Sequence, residues 1–308
     1  KQSNRFFVHL AITSTFVFSQ IMALQVGGTK EGLSAEKAKN LLIPLPPLSE
    51  QKRIVEKIEE FLPEIEKLEK SENQLKSIQT VFPAKMKNSI LQHAIQGKLT
   101  EQLPSDGNAE ELLSQIRAEK AKLIKEGKLK KEKPLLPITD DEIPFEIPEN
   151  WVWCRLGEVT ELTMGQSPNG ISIGNQGIEF HQGKIAFKDF VIGDSGFKCN
   201  SPKKIASANS VLLCVRAPVG IPNITDRKLC IGRGLASINP RGDILLKFMF
   251  SYLLTMQKYF VDKSTGTTFK AINKDIIENA LIPLPPIPEQ ERIVQRLEEL
   301  LPLCEGLG

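Results

Sequence analysis

The amino-acid sequence predicts an α+β protein: a strand-rich body finished by closing helices, joined to long, antiparallel, coiled-coil-like spacer helices. Three observations predict it. A passage occurs twice, as NLLIPLPPLSEQKRIVEKIEEFLP at residues 40–63 and NALIPLPPIPEQERIVQRLEELLP at residues 279–302. The copies are about two thirds identical and lie roughly 240 residues apart, the scale of a duplicated domain rather than a solenoid. A heptad of apolar residues follows the first copy, and short strand-like runs closed by Gly, Pro or Asn fill the interval between the copies.

In chain order, residues 6–24 (FFVHLAITSTFVFSQIMAL) are apolar enough to suggest a membrane span or signal peptide. Polar residues interrupt them, and Gly27-Gly28-Thr29 falls opposite Gly266-Thr267-Thr268, which aligns 6–24 with about 244–260. That second stretch carries Lys247 and Lys258, so both read as soluble amphipathic helices and no membrane is expected. In each I-P-L-P-P the prolines fix φ and exclude helix, which predicts a short extended link leaving a globular body. A helix then starts, with Ser49 as N-cap in the first copy and Pro288 in the first turn of the second. Its first seam holds Ile58 and Ile65, and its second holds Phe61, Leu68, Leu75 and Phe82; Glu72 and Gln79 interrupt the first. Pro83 is expected to kink or break the helix, and Gly97 to stop it, after about 65 Å at 1.5 Å per residue. The second copy repeats the pattern at Leu297, Leu300, Cys304 and Leu307, so the two helices are expected to pair as a spacer.

Residues 104–148 read as a basic, Pro-rich connector containing a helix at 109–127. Its Lys and Arg residues, diluted by Glu119, Glu126 and Glu132, form a solvated face more readily than a phosphate site. Trp151 opens the strand-rich body: WVWCRLGEV alternates like a half-buried strand, and MGQSPNG and IGNQG follow as turns. KIAFKDFVI, SVLLCVRAPVG and LCIGRGLASINP continue as strand-like runs, and helices return at 244–260 and 273–278.

The net charge of +3 permits nucleic acid without requiring it. Five scattered cysteines without a C-x-x-C pair, and three distant histidines, indicate no zinc site or disulfide framework and fit a reduced cytoplasmic setting. There is no phosphate loop, no Gly-rich dinucleotide fingerprint and no N/D-P-P-Y/F methyltransferase signature, and the scattered Asp and Glu suggest no nuclease metal cluster. No catalytic residue, metal or cofactor is assigned.

The order of these motifs carries a resemblance. IPLPP-x-x-EQ-x-RIV with a long helix, P-x-NW-x-W-x-RLGE, GTTFKAINKDII and a second IPLPP-x-x-EQ-x-RIV together resemble the specificity subunit of Type I restriction–modification systems, across essentially the whole chain. The resemblance implies two target-recognition domains, each reading half of a split site on double-stranded DNA. It implies helical regions that dock two methyltransferase subunits, with restriction subunits engaged through the complex. On that reading residues 1–39 end a first recognition domain that should precede residue 1. Residues 40–103 are the first spacer region, 104–148 the connector, 149–278 the second recognition domain, and 279–308 a second spacer that stops early. The alternative is the reading module of a single-chain fused restriction–methylation enzyme; a purely structural coiled-coil protein would leave the strand-rich body unexplained.

Base reading needs donors and acceptors on loops that enter a groove. The candidates are Gln166, Ser167, Asn169, Arg216, Arg233, Thr267, Thr268 and Lys270. For phosphate they are Lys184, Lys188, Lys198, Lys203 and Lys204.

Overall fold

The structure is a computed structural model that describes residues 3–25, 32–131, 133–266 and 270–306. The chain divides into two compact units, residues 1–80 and 81–308.

In the first unit, α1 (Arg5–Thr13) and α2 (Thr15–Leu24) meet at a 62° bend. The Ser14 side chain caps α2 by accepting from the Val17 N–H. Among the described residues no single helix is long and apolar enough to cross a membrane. A short α3 (Ala35–Lys39), capped by Ser34, precedes the extended residues 41–47 and then α4 (Leu48–Ile95). The core is small: Phe7, Ala11 and Val55, with Leu10, Ile43 and Ile54 packed against them.

Two expectations for α4 are corrected. It begins at Leu48, so Ser49 lies inside the first turn and is not the N-cap. It also runs unbroken for 48 residues through Pro63 and Pro83. Each proline removes one N–H and leaves one carbonyl unbonded four residues earlier. Those carbonyls belong to Glu59 and Gln79, both exposed residues on the solvent side, where the loss costs less than in a buried helix, and the helix continues. Phe61, Ile65, Leu68, Leu75 and Phe82 are exposed along the helix, and Ile58 is half-buried.

The second unit starts within α4, whose Leu91, Ala94 and Ile95 enter its core. Gly97, at φ +68°, ends the helix as expected. Next comes α5 (Ala109–Lys125), with Ala109, Leu113 and Ile116 buried. β1 (Val152–Arg155), the single turn α6 (Leu156–Val159) and β2 (Thr160–Met164) follow. Short strands continue: β3 (Ile173–Gly174), β4 (Ile178–His181), β5 (Lys198–Cys199), β6 (Ile205–Ala206), β7 (Ser210–Cys214), β8 (Pro222–Thr225), β9 (Leu229–Ile231) and β10 (Leu235–Pro240). The unit closes with α7 (Leu246–Thr255), α8 (Gln257–Lys263), α9 (Lys274–Glu278), β11 (Leu281–Leu284) and α10 (Ile287–Glu305).

The strands form sheets in the orders β1-β11, β2-β10-β7-β8 and β3-β5-β4-β9-β6. The four-stranded sheet is antiparallel throughout, whereas β4 and β9 run parallel. One large core joins this sheet to α5, α7 and α10. KIAFKDFVI is not a strand: residues 184–186 make a 3-10 turn, and only Val191 bridges a strand, at Ile224. The second LIPL is not a link leaving the body either. It is β11, paired with β1 and buried at all four residues.

The connector is tied down by charge. The Arg155 side chain, 3% exposed, donates to the carbonyls of Leu136, Pro137 and Asn279 and to the Glu142 carboxylate. Arg117 pairs with Glu158 at 2.8 Å and Lys120 donates to the Gly157 carbonyl, so part of the connector's basic cluster serves this packing.

Candidate nucleic-acid interface

Strand direction decides which loops share an end of the body. β2 leaves the four-stranded sheet at Met164 and β7 leaves it at Cys214, while β8 enters at Pro222 and β10 at Leu235. The loops after β2 and β7, and before β8 and β10, therefore lie together at one sheet end. Parallel pairing of β4 with β9 sets His181 beside Ile231, which brings residues 182–184 to that end too.

Backbone hydrogen bonds stitch these loops together. The Gln166 N–H donates to the Ile231 carbonyl at 3.0 Å, and the Arg233 N–H donates to Ser167 Oγ at 3.3 Å. Val215 N–H donates to Gly234, Ile272 N–H to Val215, and Ala217 N–H to Lys270. Two glycines permit the approach. A Cβ at Gly165 would stand 2.2 Å from the Gly232 carbonyl oxygen, and one at Gly234 would stand 2.2 Å from that of Gln182. The close contact fixes loop backbones while Gln166, Asn169, Arg216, Arg233 and Lys270 remain exposed and Ser167 half-buried.

So six base candidates, four loops apart in sequence, fall on one end of the body. Thr267 and Thr268 lie outside the described residues. Among the phosphate candidates, Lys204 accepts through its carbonyl from the Ile231 N–H, and Lys203 precedes it. Lys184 follows β4, and the Lys188 carbonyl accepts from Asn223 at the start of β8. These four lysines border the same end and are exposed. Lys198 does not: it pairs opposite Glu179, at the far end of β4. Sequence reasoning passed over Gln182, an exposed amide beside Gly234. Its signal was a polar residue directly before Gly183, the pattern used for the other turns.

A partly buried ion network ties β4 to its neighbours. Glu179 accepts from Arg227 Nε and Nη2 at 2.7 and 2.9 Å, lies 2.6 Å from His181 Nε2, and accepts from the Ser195 N–H. Burial raises the Glu179 carboxyl, but these hydrogen bonds, Arg227 first, outweigh it and bring the pKa down to about 2. Burial pushes the His181 pKa below its ordinary value. Arg227 also donates to the Ile192 and Gly193 carbonyls, so one guanidinium holds β4 and the 192–195 segment in place.

The spacer-seam residues of the second copy are placed differently from those of the first. Leu297 is buried in the second unit's own core with Ile293, Val294 and Leu301, and Leu300 is half-buried.

The family model for the Type I restriction modification DNA specificity domain matches residues 1–77 and 148–305. The chain is 32% identical over 240 residues to the Type I restriction enzyme EcoAI specificity subunit of Escherichia coli, covering 72% of this chain and 40% of that protein. It is 39% identical over 165 residues to the putative type I restriction enzyme MjaX specificity subunit of Methanocaldococcus jannaschii, covering 52% of this chain and 39% of that one. A solved structure described as the basis of complex assembly and conformational transition of the type I R-M system superposes with a TM-score of 0.56 at 28% identity, covering 99% of this chain and 65% of that chain. The chain thus spans about 40% of the length of these curated relatives.

Proposed function

Because this chain belongs to the Type I restriction–modification DNA specificity family, we propose that it reads one half of a bipartite site on double-stranded DNA for partner methyltransferase and restriction subunits. The observation that carries this reading is the gathering of Gln166, Ser167, Asn169, Arg216, Arg233 and Lys270 on stitched loops at one sheet end. Arg forks to guanine O6 and N7, and Gln or Asn pairs with adenine N6 and N7, so this residue set suits the major groove. Lys184, Lys188, Lys203 and Lys204 at the border would meet phosphates and set register. The protein supplies recognition and no chemistry of its own; two methyltransferase subunits dock on the helical regions, and restriction subunits join through the complex.

The recognition body is assigned to residues 149–278. Replacing the corresponding segment of a full-length relative with these residues, then mapping methylated sites across the host genome, tests the assignment. One half of the methylated motif should change and the other persist. A change in both halves, or in neither, would place the boundary elsewhere.

A further inference from the structure

Among the described residues, the large apolar side chains that stand fully exposed are Ile171 and Ile185; the next, Leu42, is 71% exposed. Each isoleucine occupies the middle of a single 3-10 turn, Gly170–Ser172 and Lys184–Ala186. A lone exposed aliphatic is ordinary on any protein surface, so position has to separate the two. Ile171 leads into β3, whose Ile173 pairs opposite Cys199, as does Ile178 at the start of β4. Ile185 follows the other end of β4, the end at which the base candidates gather.

The turn that carries Ile185 is fixed on both sides. The Phe187 N–H donates to the Lys184 carbonyl at 2.8 Å, which closes the turn across Ile185, and the Gly193 N–H donates to the Ala186 carbonyl at 2.8 Å. Ala186 and Phe187 pack against the core formed by Ile192, Leu212, Leu229 and Ile231. On the other side the Gln182 carbonyl abuts Gly234, the neighbour of Arg233. The side chains of Gln182 and Lys184, which flank the isoleucine, are exposed with it. A β-branched side chain on such a turn has little rotamer freedom left to lose on contact.

We propose, resting on the DNA-reading role above, that Ile185 is a specificity-determining residue that packs on the 5-methyl group of a thymine in the site. The polar candidates supply donors and acceptors for base edges. Thymine alone adds an apolar group to the major-groove edge, and only an apolar side chain answers it. Ile185 brings that surface to the reading end, beside an amide at Gln182 and a cation at Lys184.

The test combines the chain with the methyltransferase of a matching system and identifies the motif it directs by mapping methylated sites. Binding of the complex is then measured on duplexes in which each thymine of the motif is replaced singly by deoxyuridine. That exchange removes a methyl group and leaves every hydrogen-bonding group in place. One replacement is expected to weaken binding about fourfold, the effect of burying one methyl. Ile185→Ala should weaken binding to the thymine duplex at least as much and no longer distinguish thymine from deoxyuridine there; Ile171→Ala should keep the distinction. The proposal is overturned if no position is sensitive, if the distinction survives Ile185→Ala, or if Ile171→Ala removes it too. It is also overturned if Ile185→Ala leaves DNA affinity intact and loosens the methyltransferase instead, because a protein would then be the neighbour of Ile185. If no defined motif is methylated at all, the recognition reading itself fails and this inference falls with it.

Discussion

Arg216 and Arg233 leave the sheet end from loops whose backbones are pinned, so the points from which their exposed side chains reach out are fixed. If Arg233 forks to guanine, Arg233→Ala relaxes one base position of the methylated motif at a cost of about 1–3 kcal/mol, and Arg216→Ala does the same at another. Methylation measured across sequence variants separates this from phosphate contact, which weakens all sequences alike. Glu179 yields a second expectation at this scale. Its folded pKa of about 2 lies below the ordinary value of 4.5, so its contribution is complete above about pH 4.5 and lost as pH falls toward 2. Acid unfolding followed by circular dichroism should therefore be less steep in that window for Glu179→Gln. Part of the slope will remain, because Arg155 holds Glu142 down to about 2 in the same way.

At the scale of elements, α4 behaves as a ruler would need to. It is a single helix through two prolines, and its apolar seam is exposed along the first unit. Two readers on such a spacer engage DNA together only when half-site separation matches its length and phase. Seven added residues preserve the seam and lengthen the helix by about 10 Å, which is about three base pairs. In a full-length relative, a heptad inserted within the segment matching residues 64–76, with its match in the distal helix, should keep both half-sites and widen the unread gap. Both half-sites at the original spacing would show that these helices do not set the distance. Arg155 is the element-scale anchor of the connector. Arg155→Met takes the donor from three carbonyls while the partly exposed Glu142 stays hydrated, and calorimetry should register a loss of about 1–3 kcal/mol.

For the whole molecule, the proposed role is that of a reader that works through partner subunits. Incubated alone with labelled S-adenosylmethionine and DNA, the chain should transfer no methyl group; with the methyltransferase of a matching system it should direct transfer to a defined motif. Turnover by the chain alone would favour the fused single-chain enzyme instead.

The sequence by itself determined the duplication, the helices and the family, because each is written in local pattern: the IPLPP…EQ…RIV repeat, the heptad beginning at Ile58, the stop at Gly97. It also marked the polar candidates on the loops, since polar side chains beside Gly and Pro identify turns. Only the tertiary structure decided which turns meet. Residues 166, 216, 233 and 270 come together through antiparallel pairing of strands distant in the chain, and Lys198 separates from the other lysines for the same reason. The fate of the two LIPL tetrapeptides is the sharpest case. Identical residues are a buried strand at 281–284, where β1 lies alongside, and an extended segment at 42–45 with Leu42 and Leu45 exposed, because burial depends on partners that no local sequence contains.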